Sequence, residues 1–297
     1  MKRRKFIFTS GMGALALSTS RSARSQIPRP GSEAKRERIC ISTWSFHNLF
    51  TATRDRKAPA PDKPLDILDF PEMIADRYHV HHLEIVSPHF ASSEPAYIRD
   101  VKKRLERAHS RLVNIPLDFN ELWEKPALSA PDAREREKAI SMYAPWIEVA
   151  HDLGARSVRC DPGIINLADL SPTIESYKTL VARGRSKDIR VIVENHGSAA
   201  AHPEQLVKIL NDSGAGALPD FGNFPDEETR ARGLRLMFPL AVAVCHAKLN
   251  PAKFDFARCM QISKDANYKG VYSIEAGGRG DAYEAVQQVV DALMEHL

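Results

Sequence analysis

Cysteine is scarce in this 297-residue chain, and its four copies form no CxxC pair. A disulfide framework or a thiolate zinc site normally shows as paired or regularly spaced cysteines, so the sequence disfavours both. Three of the four lie in apolar, strand-like runs, where a thiol usually packs as a small buried hydrophobe. We therefore expect no disulfides among Cys40, Cys160, Cys245 and Cys259.

Glycine-rich phosphate-binding motifs are also missing. No GxGxxG follows the first predicted strand, and the sequence contains no P-loop. Such motifs wrap backbone N–H groups around phosphates. Their absence argues against a dinucleotide-binding fold and against a phosphate held in a cradle of this kind.

The body of the chain lacks a basic surplus. The formal net charge is +4, but residues 1–25 contain six lysines and arginines and no acid. The remaining residues therefore carry a net charge of −2. Proteins that bind DNA or RNA use basic side chains to displace counterions from phosphates, so we expect no nucleic-acid partner.

The first 25 residues have the layout of a signal peptide. A basic start is followed by a weakly apolar stretch to about Leu17 and then by small and polar residues. Arg3 and Arg4 resemble a twin-arginine export signal. The apolar stretch is shorter than the roughly 20 residues needed to cross a bilayer. We expect a periplasmic or otherwise exported protein without a stable membrane anchor, and a disordered basic tail is the alternative.

After a proline- and charge-rich lead-in over residues 26–37, short β-branched runs alternate with helical periods. Strands are predicted over residues 38–43, 80–86, 111–117, 156–160, 189–194, 217–221, 241–247 and 270–275. Helices are predicted over about 66–79, 94–110, 131–152, 171–187, 203–213, 226–237 and 255–267, and after Asp281. Because an all-parallel sheet needs helices that cover it, these units predict an α/β fold with a single (β/α)8 TIM barrel over residues 38–297. A doubly wound open sheet ranks second. The polar loop over residues 51–64 is a predicted lid.

Four consecutive predicted strands end in a side chain that can bind a metal. Glu194, Asp220, His246 and Glu275 are separated by 26, 26 and 29 residues, which is one strand–helix unit each time. In a barrel all four converge at the carboxyl-terminal mouth, where active sites form. Three clustered carboxylates without a cation would repel one another. The pattern therefore predicts a divalent metal, with Mn²⁺ or Mg²⁺ favoured by the oxygen-rich set and Co²⁺ or Zn²⁺ as alternatives.

The segments Glu-Asn-His-Gly, Asp-Phe-Gly-Asn-Phe, His-Ala-Lys and Ile-Glu-Ala-Gly follow these strands. Through them, about 260 residues of the chain resemble the xylose isomerase-like TIM-barrel superfamily of sugar isomerases and epimerases. The resemblance implies that Glu194 and Glu275 bind the metal and act as acid/base residues on opposite faces of the substrate. The sequence departs from the ketose epimerases at Asn223, where they place a histidine. Asn223 is predicted to contact substrate.

Other side chains at strand ends are further predicted substrate contacts: Trp44, Glu84, His196 and Lys248. Each has a plain alternative. Trp44 can pack in the core instead of stacking on a sugar, and Glu84 can support a metal ligand instead of contacting substrate. His196 can cap the next helix, and Lys248 can be solvated instead of stabilising an oxyanion. Arg159 and Asp161, at the end of the fourth strand, are expected to pair with each other.

The resemblance and the predicted metal together imply proton abstraction next to a carbonyl of a sugar or sugar derivative. Export favours an unphosphorylated substrate. β-Elimination of a keto-glycoside is the alternative on the same site. A metal-dependent hydrolase or endonuclease and a non-catalytic carbohydrate-binding barrel follow, and the endonucleases of the superfamily need more histidines than this pattern offers. Barrels of this group often pair, so a homodimer is also expected.

Overall fold

A computed structural model describes residues 31–57, 60–122, 124–277 and 280–297. All strand pairs in it are parallel and follow the order β6-β5-β4-β3-β2-β1-β8-β7. Single bridges between Ala217 and Ala241 and between Asp220 and His246 join the two outer strands, so the sheet curls into a nearly closed barrel. The strands are β1 (Ile39–Ser42), β2 (His82–Glu84), β3 (Arg111–Leu117), β4 (Ser157–Cys160), β5 (Arg190–Glu194), β6 (Gly216–Leu218), β7 (Val244–Ala247) and β8 (Val271–Ile274). The predicted TIM barrel is confirmed.

Helices follow the strands around the outside of the barrel. Aspartates cap four of them, and Asp281 accepts hydrogen bonds from the backbone N–H groups of Tyr283 and Glu284, as its position before an amphipathic run predicts. The helices are α1 (Ser32–Arg36), α2 (Phe70–Tyr78), α3 (Pro95–Arg107), α4 (Ala133–Asp152), α5 (Ser171–Arg185), α6 (Pro203–Ser213), α7 (Glu227–Met237), α8 (Phe256–Asp265) and α9 (Ala282–His296). None of the described helices is long and apolar enough to cross a membrane.

The barrel interior changes from apolar to polar along the strands. Alternate residues of a strand point to the same side, so Val244 of β7 lies below His246, and Ile192 of β5 lies below Glu194. The lower layer belongs to a small buried cluster: Cys40, Val113, Ile192, Leu218, Ala243, Val244 and Val271. All four cysteines are buried and free. The alternation thus places an apolar layer beneath a layer of buried polar side chains.

The lead-in before β1 contains the short helix α1, and the predicted lid follows β1. Residues 1–30, which include the predicted signal peptide, lie outside the described part of the chain. In the rest of the lead-in, α1 is tied to the barrel because Lys35 donates to the carbonyl of Met294 at 2.7 Å and Arg36 donates to the carbonyl of Tyr78 at 2.6 Å. The predicted lid is described except for residues 58–59.

Candidate active site

The four strand-end side chains that the sequence singled out meet in one buried cluster. Their donor atoms all lie within 4.8 Å of one another. His246 Nδ1 is central, at 3.1 Å from Glu194 Oε1, 3.4 Å from Glu275 Oε1 and 3.5 Å from Asp220 Oδ2. All four residues are at most 7% exposed. The barrel therefore gathers three carboxylates around one imidazole nitrogen.

The chain after β6 directs one oxygen of Asp220 into this cluster. Asp220 Oδ1 accepts hydrogen bonds from the backbone N–H groups of Gly222 and Asn223, at 2.6 and 3.0 Å. The side chain of Asn195 holds the backbone of Asp220 on both sides, at 2.7 Å from its nitrogen and 3.1 Å from its oxygen. Oδ2 is the oxygen left to face His246.

Glu84 orients the ring of His246 from across the barrel. Its carboxylate lies 3.0 and 3.2 Å from Nε2 of His246, and it accepts further hydrogen bonds from Asn114 Nδ2 at 2.8 Å and Ser273 Oγ at 3.1 Å. With Nε2 donating to Glu84, Nδ1 must face the three acids. Glu84 is fully buried and does not line the cavity described below. This geometry favours the support of a ligand over the substrate contact we predicted.

Lys248 brings a positive charge to the acids. Its Nζ lies 2.6 Å from Asp220 Oδ2 and 3.0 Å from Glu275 Oε2, and it donates to Asn223 Oδ1 at 3.1 Å. A Cβ on Gly222 would lie 2.9 Å from Cδ of Lys248, so glycine leaves room for the lysine stem. The ammonium is ion-paired with the cluster, which differs from the solvated lysine that was the alternative.

Arg159 supplies a second cation from β4. Its Nη1 donates to Asp118 Oδ1 at 2.8 Å, and its Nε lies 3.2 Å from Glu194 Oε2. The expected pair between Arg159 and Asp161 is wrong, because Asp161 Oδ2 instead lies 2.8 Å from Nδ1 of His196. Sequence reasoning missed Arg159 and Asp118 as parts of the site. The signal available for Arg159 was a charged residue near the end of an apolar strand that pairs with the strand of Glu194.

Burial and charge shift the pKa values of the cluster in different directions. Burial raises the pKa of Glu194, but the charges of His246 and Arg159 outweigh it and hold the pKa well below its usual range. Burial raises the pKa of Glu275, and the charges of His246 and Lys248 offset this increase only in part. Burial lowers the pKa of His246, but the surrounding carboxylates raise it well above its usual value. The three carboxylates therefore favour a positive charge at this point of the cluster, which is where a metal cation fits.

The donor set fits a hard divalent ion. Nδ1 of His246 lies 3.1 to 3.5 Å from an oxygen of each acid, which is the separation of neighbouring ligands that each lie about 2.1 Å from one ion. Glu194 Oε2 and Asp220 Oδ2 are buried and make no hydrogen bond of standard geometry with the described residues, although each lies beside a cation. Three carboxylates and one imidazole suit Mn²⁺ or Mg²⁺ better than a thiol-binding ion.

A cavity of about 500 Å³ opens above the cluster. Glu194 and Glu275 form part of its floor, and Trp44 lies at its edge, 37% exposed and stacked on His47 with ring centroids 4.9 Å apart. The other predicted contacts that line it are His196, Asn223 and Lys248, and the predicted lid contributes Ala52, Thr53 and Arg54. All the predicted substrate contacts except Glu84 therefore share one cavity with the two glutamates.

Comparison with known proteins assigns the family. The sequence model of the xylose isomerase-like TIM barrel matches residues 78–296. The chain therefore belongs to the xylose isomerase-like TIM barrel family. No curated protein sequence matches it.

Solved structures share the fold at low sequence identity. D-allulose 3-epimerase from Methylomonas sp. is 12% identical with a TM-score of 0.66, over 88% of this chain and 98% of that one. A xylose isomerase-like TIM barrel protein from Mycobacterium smegmatis, in complex with magnesium, is 15% identical with a TM-score of 0.61, over 87% and 97%. D-psicose 3-epimerase from Clostridium cellulolyticum, solved with D-tagatose, is 13% identical with a TM-score of 0.59, over 87% and 95%.

Proposed function

We propose that this chain is a divalent-metal-dependent isomerase or epimerase that abstracts a proton next to a carbonyl of an unphosphorylated sugar or sugar derivative. The observation that carries the proposal is the convergence of Glu194, Asp220, His246 and Glu275 beneath one open cavity. Structures of the same fold include sugar epimerases and a magnesium complex, and the expected export would place the enzyme outside the cytoplasm.

The residues divide the work by position. A bound Mn²⁺ or Mg²⁺ would supply Lewis-acid polarisation of the substrate carbonyl. Glu194 and Glu275 are the groups of the floor that take and return the proton. Lys248 and Asn223 contact substrate oxygens from the β6–β7 side, where a substrate oxygen would replace one of the three protein partners of the Lys248 ammonium. Trp44 covers a sugar face at the edge of the cavity.

Charge pairing within the cavity supports a neutral substrate. Arg159 is matched by Asp118 and Glu194, and Lys248 is matched by Asp220 and Glu275. His196 is likewise matched by Asp161. Because the chain itself supplies the counter-charges of these three cations, a phosphate that bound to any of them would have to displace a carboxylate of the protein. This agrees with the absence of a glycine-rich phosphate cradle.

The hydrolase reading is weaker on the same residues. Within the described chain a single group of histidine, cysteine and acidic side chains has metal-binding geometry. The epimerase histidine position holds Asn223, whose amide donates to Glu194 Oε1 at 3.0 Å and accepts from Lys248. A three-metal nuclease centre needs ligands that this arrangement does not provide.

Hydrogen exchange tests the proposal directly. The protein is loaded with Mn²⁺ and incubated in D₂O with free ketoses, aldoses and 3-keto-glycosides, and the products are followed by NMR after the metal is removed. Deuterium at a carbon next to the carbonyl is the expected result. The product then separates isomerisation, epimerisation and elimination. If the metal is bound and no substrate of this panel exchanges, the proposal of sugar proton transfer fails.

A further inference from the structure

Arg159 is a buried cation on the cavity floor, and the roles proposed above do not use it. The residue is 5% exposed although it lines the cavity, so its guanidinium is held by protein groups. An arginine is buried only where charges and hydrogen bonds replace its water. Here Asp118 at the end of β3 and Glu194 at the end of β5 provide them, on either side of β4.

The two oxygens of Glu194 have different neighbours. Oε1 lies 3.1 Å from His246 Nδ1 and accepts from Asn223 Nδ2 at 3.0 Å, which places it in the cluster. Oε2 lies on the opposite side, 3.2 Å from Arg159 Nε. The carboxylate thus has one oxygen toward the other ligands and one toward the arginine, where the contact is an ion pair without standard hydrogen-bond geometry.

We propose that Arg159, anchored by Asp118, is a positioning residue that turns Glu194 Oε1 toward His246, Asp220 and Glu275 and so completes the metal site. The inference deepens the proposed function and rests on its metal site. Carboxylate and amide partners behind metal ligands are known to matter in this way, and removing such a partner commonly weakens metal binding by roughly 10- to 100-fold. An arginine is an unusual choice, because its charge opposes a cation.

That opposition separates positioning from simple electrostatics. If Arg159 acts only as a nearby positive charge, Arg159→Met removes a repulsion and tightens Mn²⁺ binding. If it positions Glu194, the same change loosens the ligand and weakens Mn²⁺ binding by about 10-fold or more. The two readings predict opposite signs for one measurement, and neither sign depends on knowing the substrate.

The experiment is a calorimetric titration of the full chain with Mn²⁺. Arg159→Met is compared with Arg159→Lys, which keeps the charge and restores only part of the contact, so its affinity should lie between those of Arg159→Met and the wild type. Asp118→Asn leaves the arginine in place but removes the negative charge of its anchor, and should weaken binding several-fold. Arg136→Met is the matched control, since Arg136 forms an ion pair with Glu175 and does not line the cavity.

Each result decides the matter. Weaker binding in Arg159→Met with partial recovery in Arg159→Lys supports positioning, and thermal melts of the metal-free variants check that the fold is kept. If Arg159→Met does not fold, weaker binding in both Arg159→Lys and Asp118→Asn supports the proposal, and unchanged binding in both overturns it. Tighter or unchanged binding in a folded Arg159→Met also overturns it. Sugar exchange by the wild type is scored separately, so an inactive protein with weakened Arg159→Met binding would refute only the proposed function.

Discussion

The two halves of the barrel mouth contribute different chemistry. Strands β5 to β8 each lead into one member of the metal cluster, whereas β2 to β4 contribute groups that hold two of those members, His246 and Glu194. Glu84 reaches across the barrel to His246, and Arg159 reaches the neighbouring strand to hold Glu194. A ligand has to present an oxygen or nitrogen to a shared point, but its orientation is set by what lies behind it. The side chains from β2 to β4 therefore act on the predicted metal indirectly, through the ligands from β5 to β8 that they hold.

Removing the acid/base group from the ligand half should give the largest effect. We expect Glu275→Gln to lower sugar deuterium exchange by about 10³-fold or more while the fold is kept, because a near-isosteric amide cannot accept the proton. NMR exchange and far-UV circular dichroism measure the two properties. Glu284→Gln on the exposed side of α9 is the matched control. Near-normal exchange in Glu275→Gln would remove this glutamate from catalysis.

Metal removal should act on stability through the same half. Mn²⁺ at 100 times its Kd should raise the free energy of unfolding by about 2.7 kcal/mol, since it binds the folded site and not the unfolded chain. Thermal melts with and without EDTA measure the shift. His246→Gln should melt at the same temperature with and without Mn²⁺. If Mn²⁺ does not change the melting temperature of the wild type, the assigned ligand set is contradicted.

Glu84→Gln probes the supporting half. We expect Mn²⁺ affinity to fall by roughly 10-fold or more, because the neutral amide holds the His246 ring less firmly, while the KM for a sugar substrate stays the same. Calorimetry and steady-state kinetics separate the two quantities. Ser273→Ala, which removes a hydrogen bond to Glu84, should have a smaller effect in the same direction. A raised KM with unchanged metal affinity would restore the role of Glu84 as a substrate contact.

His89 should give the smallest effect, on the pH dependence of stability. Burial chiefly, with a contribution from His47, lowers the pKa of His89 to about 3 from its ordinary value of 6.5. Between these values the unfolded chain binds a proton that the folded chain does not, so stability falls as the pH drops through this window. His89→Phe keeps the stacking on Phe50 and should show a flatter loss in urea unfolding between pH 7 and pH 4. An identical pH slope would contradict the assignment.

Much of the fold was predictable because its signals are local. Each predicted strand overlaps an observed one, and the predicted helix after Asp281 begins at Ala282. Alternation with period two and apolar spacing of three and four residues arise within one element. They can therefore be recognised without knowing which elements pack beside it. The strand after residue 240 shows the limit, since it was predicted from residue 241 and begins at Val244, where pairing with β8 starts.

The sequence by itself determined the barrel and the convergence of Glu194, Asp220, His246 and Glu275, because a regular strand–helix spacing forces strand ends to one face. It also brought Lys248 and His196 near that face, two residues beyond a ligand. Only the tertiary structure decided which side chains pair with one another in the site. Glu84 and His246 are 162 residues apart, and Arg159 turned from its near neighbour Asp161 to Asp118 and Glu194. Such contacts depend on barrel closure and on side-chain rotamers across the interior, which no local pattern records.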